Sequence, residues 1–163
     1  MANELLILIH ASTGSLATVT SVWLAVELFH AKNNTNAQRI KFSAILVNVF
    51  VWLSYIIGGW YYVFDYSTVD KYIIKGSTDL GFSGSLWTFA HGFFTESKEH
   101  FYFIGILIAL YVLLLAYRTD FANDNKARHL MFVLAVTLLV GGIVLEGWGA
   151  IMAMGVRLGM IPG

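Results

Sequence analysis

Four apolar stretches constrain this chain more than any motif it carries. Residues 5–29, 42–64, 100–117 and 130–154 each approach or exceed the about 20 apolar residues that a helix needs to cross a bilayer, and they use up most of the 163 residues. With 58% hydrophobic and only 12% charged residues, the chain lies far from soluble domains, in which about a quarter of residues are charged. In lipid every backbone N–H and C=O must be satisfied within the protein, which selects helices for spans of this length. The expected fold is therefore all-α: an integral membrane, four-helix up-down bundle forming a single transmembrane domain over residues 1–163, with the lipid bilayer as its first partner.

The charges sort by connection. "HAKNNTNAQRIK" joins the first two stretches and "RTDFANDNKARH" the last two, and together they hold Lys32, Arg39, Lys41, Arg118, Lys126 and Arg128. The positive-inside rule assigns both short loops to the cytoplasm, so a multi-pass chain of this pattern has both termini and the long connection 65–99 on the non-cytoplasmic side. The N-terminal stretch carries Glu4, lacks a basic leader and outruns a signal peptide's apolar region, and is read as a retained span. Within the long connection, the aromatic and amphipathic segment 85–94 predicts a short interfacial helix. Trp60, Tyr61, Tyr62 and Trp87 suit an interfacial aromatic belt.

Composition also excludes. Ten basic and ten acidic residues cancel, leaving no cationic field for nucleic acid. With no cysteine there are no disulfides, no covalent haem attachment and no thiolate metal sites, so His, Glu, Asp and Tyr are the available ligands.

Ionisable groups inside spans are costly and usually face the protein interior or a functional site. Within about 40° of His10 on a helical wheel lie Gly14, Ala17, Ser21 and Leu24, a mostly small face that makes a groove for a neighbouring helix or a flat cofactor. His100 begins the third span at a depth near that of His10. In an up-down bundle these spans are diagonal, and one imidazole from each would hold a b-type haem without covalent attachment. Ile104, Leu107 and Tyr111 share the His100 face; the alternative is that His100, beside Glu96, Lys98 and Glu99, simply meets water.

Glu146, in "GGIVLEGWGAIM", lies within the fourth span on a face of Ala135, Leu139, Gly142, Ala150 and Ala153. It is expected to be a proton carrier, a metal ligand or a structural hydrogen-bonding group. Asn48, Trp52, Tyr55, Gly59 and Tyr62 form a polar and aromatic stripe on the second span, whose Tyr55 and Tyr62 phenols would reach a porphyrin edge or head group. Lys71, Lys75, Lys98 and Arg157 are candidates to neutralise propionates or lipid phosphates. His91 in "FAHGFF", together with His10, His100 and Glu146, would form an alternative nitrogen and oxygen site for non-haem iron, copper or zinc. His30 lies roughly 30 Å along and about 160° round from His10, so it belongs to no shared site; with His129, and Glu27 nearby, it is a candidate for a second, inner one.

In architecture alone, the plan is similar to that of small four-helix membrane cytochromes. The leading expectation is a membrane electron-transfer protein or subunit with haem b between His10 and His100, and proton or quinone chemistry near Glu146. The alternative is a cofactor-free accessory subunit locked by its small-residue faces to other membrane subunits or to a second copy of itself. A transporter with Glu146 as its coupling group is disfavoured, because there is no inverted repeat and the only proline is Pro162.

Overall fold

A computed structural model describes residues 2–31, 37–75, 91–121 and 123–159. Helix α1 spans Ala2–His30. Helix α2, Ala37–Tyr61, runs without a break into a π-helical stretch, Tyr62–Asp70, and on into α3, Lys71–Lys75. A π-helical turn, His91–Thr95, leads directly into α4, Glu96–Arg118, and α5 spans Asn125–Gly159. No strand occurs among the described residues. Four continuous rods, Glu4–His30, Ala37–Lys75, His91–Arg118 and Asn125–Leu158, are long and apolar enough to cross a membrane.

Three rods outrun the apolar stretches that announced them. The second continues from residue 64 to Lys75, the third begins at His91 instead of residue 100, and the fourth begins at Asn125. At about 1.5 Å per residue a rod of 39 residues is roughly 58 Å long, about twice the hydrocarbon core. The overrun is stable because its polar groups find partners on the helix itself. Ser67 donates to the Val63 carbonyl, and Thr68 to those of Phe64 and Asp65. Ile73, Ile74 and Val156 pack together under Phe94 and Ile151. Of the expected interfacial helix, residues 85–90 lie outside the described residues, while 91–94 belong to the start of the third rod.

Helix α1 packs against α2 and α5, α2 packs against α4, and α4 against α5. The main apolar core fills the end near the two short connections, where Leu24, Leu28, Ile40, Val47, Val112 and Met131 are all but sealed from solvent. Asn48 ties α2 to α4 there, donating to the Ala44 carbonyl at 3.1 Å and the Ala109 carbonyl at 2.7 Å. The Glu27 carboxylate accepts from Trp23 Nε1 at 3.0 Å and pairs with Arg39 at 2.8 Å. The outward faces carry Leu8, Phe29, Trp60, Leu107, Leu114 and Ile143, as a surface facing lipid or other helices should. Between this core and the small Ile73–Ile74–Val156 cluster lies a polar layer.

Candidate functional site

The layer is built from all four rods. His10 of α1 donates from Nδ1 to the Ser54 carbonyl of α2 at 2.9 Å. That approach depends on Gly58, one turn further along: a Cβ there would stand 2.5 Å from His10 Cε1 and 2.7 Å from Nδ1. The buried Ser54 hydroxyl lies 3.2 Å from His10 Nδ1 and 2.6 Å from the Tyr102 hydroxyl of α4. Tyr102 completes the group, its ring centroid 6.3 Å from that of His10. An Nδ1 that donates to a carbonyl leaves Nε2 as the acceptor of a neutral imidazole.

Glu146 of α5 supplies the other half. Its carboxylate accepts from Ser15 at 3.3 Å and from Thr18 at 3.4 Å. Thr18 fits because Gly142 has no side chain; a Cβ there would stand 2.5 Å from its hydroxyl oxygen. Gly14 separates the two halves. Glu146 Oε1 and Ser54 Oγ stand 3.4 and 3.5 Å from the point a Gly14 Cβ would occupy, so only a small residue lets them share this level.

Lys98 of α4 reaches into the same layer. Its ammonium stands 3.0 Å from where a Gly149 Cβ would be, within the electrostatic reach of Glu146 and of His10. By helical rise, His10, Ser54, Lys98, Tyr102 and Glu146 lie roughly 24–31 Å from the short-loop ends of their helices. That is near the far edge of a hydrocarbon core of about 30 Å.

The expected residues divide. His10, Gly14 and Glu146 meet in one layer. His100 does not join them: it is exposed, and its Nδ1 donates to the Glu96 carbonyl of its own helix at 2.7 Å. The reason is helical geometry. Tyr102 faces His10, and a residue two positions earlier points about 200° away. Tyr111 is likewise exposed. Tyr62 bonds to Glu99 and stacks on Tyr66 at 5.6 Å.

His91 is buried in a separate group further out, its Nδ1 2.9 Å from the Tyr66 hydroxyl. That hydroxyl is 3.4 Å from Thr95, which in turn donates to Met152 Sδ at 3.4 Å. Ser21 turns to its own helix, donating to the Ala17 carbonyl at 2.8 Å. His30 is exposed, its Nδ1 on the Val26 carbonyl at 2.9 Å, and Glu27 turns away from it toward Trp23 and Arg39.

The sequence does not single out Ser54, Gly58 and Tyr102, and offers Lys98 only as a candidate to neutralise propionates or lipid phosphates. A signal existed: Lys98 and Tyr102 are four apart, as are Ser54 and Gly58, which puts each pair on one helix face. Among the described residues no three of His, Cys, Asp and Glu gather into a metal-binding group. In this arrangement His10 and His100 do not offer a haem two axial ligands, since one ring is packed on Gly58 and the other is exposed on a different face. The layer instead holds a carboxylate, an ammonium and a hydroxyl chain, chemistry suited to carrying a proton or joining helices.

No protein-family model matches the chain, and no curated protein or solved structure matches it.

Proposed function

We propose that this protein is a multi-pass membrane subunit, an antiparallel up-down bundle without its own redox cofactor, that joins a larger membrane complex through the α1/α5 face bearing Glu146. One observation carries the reading. The Ser15–Glu146 hydrogen bond lies at an exposed position on that face, within two rods apolar enough to be spans. A carboxylate left facing hydrocarbon is expensive, and such groups face protein or a water-filled cavity.

The residues around it agree. Ala11 and Ser12 on α1, and Gly147 and Ala150 on α5, are exposed, and a Cβ at Gly147 would meet nothing within 4 Å. Small side chains on an outward face admit a partner helix at close range, whereas lipid contact requires no such trimming. A partner helix bringing a hydroxyl or amide would satisfy the outer carboxylate oxygen. With Lys98 behind it, Glu146 would also hold or pass a proton at that junction.

The chain has no cysteine, so single cysteines can be placed at will. In native membranes, a photoactivatable crosslinker on Ala150→Cys should join the protein to one other polypeptide, and the same probe on Leu114→Cys, on the exposed face of α4, should not. The purified chain should be colourless. Equal labelling at both positions would overturn the reading. A Soret band lost in both His10→Ala and His100→Ala would select an electron-transfer protein instead.

A further inference from the structure

The geometry points to a second, unrelated site: a groove for one anionic phospholipid at the short-loop end of the α1/α5 seam. Two clefts meet there. One, of about 420 Å³, is lined by Leu28, Phe29, Asn125, Arg128, His129 and Phe132. The other, of about 280 Å³, shares Phe29 and Phe132 and runs along the seam between Val22 and Val26 of α1 and Val136 and Leu139 of α5. From His30 back to Val22 the second cleft follows α1 for roughly 12 Å. The clefts adjoin at Phe29 and Phe132, whose ring centroids lie 6.1 Å apart, and a mixed polar cleft beside an apolar one inside the span matches a head group joined to an acyl chain.

Charge at the mouth decides which lipid. Arg128 is held across the end of α1 by its hydrogen bonds: to the Ala31 carbonyl, to the Phe121 carbonyl at 3.2 Å and to Asn125 Oδ1 at 2.7 Å. Those bonds use three of the five N–H donors of a guanidinium, so its fixed positive charge retains donors for a phosphate. His129 and Lys126 are exposed beside it, and His30 stands on the α1 rim. The two carboxylates of that connection are engaged by the chain itself: Asp124 accepts from the Ala127 amide at 2.9 Å and Asp120 from the Asn123 side-chain amide at 2.8 Å. Basic groups between helices at a membrane surface are the chemistry that holds anionic head groups. A partner helix would not need them, and a neutral isoprenoid would leave them without a counter-charge.

Native mass spectrometry of the full-length chain, extracted in neutral detergent and supplied with phosphatidylglycerol or phosphatidylcholine of identical acyl chains, tests the assignment. Wild type should retain one phosphatidylglycerol about tenfold more strongly than phosphatidylcholine. Placing an anion in the mouth with His129→Glu should cut that preference about fivefold, to about twofold, for the one unit of charge changed. Val26, 48% exposed, can become Trp without disturbing the core. Val26→Trp should block the groove and lower retention of both lipids, while Leu114→Trp on α4 changes neither. Equal retention of the two lipids by wild type would overturn the proposal, as would a preference indifferent to His129→Glu. So would recovery of a second polypeptide or a quinone in place of lipid, lost on Val26→Trp.

Discussion

The His10 ring rests on Gly58 so closely that a single added methyl would overlap it, a Cβ at that position standing 2.5 Å from Cε1. Ala at 58 must therefore push the ring off the Ser54 carbonyl or part α1 from α2. Overpacking of this kind costs about 1–3 kcal/mol. Gly58→Ala should lower the thermal midpoint of the detergent-solubilised protein. Because the clash is with the imidazole, the double variant Gly58→Ala/His10→Ala should be more stable than the sum of the single effects predicts. Strict additivity would show that the His10 ring does not rest on residue 58.

Tyr102, not His100, is the α4 residue that meets His10. Tyr102→Phe removes the hydroxyl 2.6 Å from Ser54 Oγ and should cost about 0.6 kcal/mol, at most about 1.7, the range for hydrogen bonds between membrane helices. His100→Ala on the exposed face should stay within about 0.5 kcal/mol of wild type. A chemical-denaturant series on the two variants checks the order. A His100 effect exceeding that of Tyr102 would reinstate the histidine as a member of the layer.

The four rods were legible because lipid leaves a chain few options: long apolar runs, with charges gathered between them, can be little other than helices. Their true ends were not legible. Helix 62–75 continues through Asp65, Ser67, Thr68 and Asp70, which a hydropathy reading takes as the end of a span but which are held by bonds to their own helix and by packing of Tyr66, Ile73 and Ile74. The site was half legible. His10, Gly14 and Glu146 stand out because polar or minimal residues are conspicuous among apolar ones. Lys98 and His100 share a charged helix start, and which of them turns inward depends on the rotation of α4, fixed by packing of distant residues such as Ala109 and Val112. Ser54 gave little warning, because serine is common in membrane helices and its role depends on a ring arriving from α1.

Lys98 and Glu146 are coupled through low-dielectric surroundings, so the loss of either should be felt by the other. Lys98→Met leaves the carboxylate with hydroxyl partners only, Ser15 and Thr18. Glu146→Gln leaves the ammonium without its anion. Each single change should destabilise the protein, and the double change should be milder than their sum, with a coupling of about 0.5–3 kcal/mol. A double-mutant cycle on thermal unfolding gives the value; a coupling indistinguishable from zero would mean that the two charges do not sense each other.

The length of the second rod makes a prediction about depth. Ser54 is buried in the polar layer, and Ser67 lies 13 residues further along the same continuous helix, roughly 20 Å at about 1.5 Å per residue. If the polar layer lies near the edge of the hydrocarbon, Ser67 stands well clear of it in water, although it remains helical. In the cysteine-free background, Ser67→Cys should react quickly with a membrane-impermeant maleimide added to one side of sealed vesicles, and Asn123→Cys, in the last short connection, only from the other side. A cysteine at Leu46, towards the short-loop end of α2, should react from neither. Amide hydrogen exchange adds the second half of the test: residues 62–75 should exchange more slowly than an unstructured loop, since their N–H groups are tied to helical carbonyls. Fast exchange there, or labelling of Ser67→Cys and Asn123→Cys from the same side, would break the continuous rod on which the depth of the whole site depends.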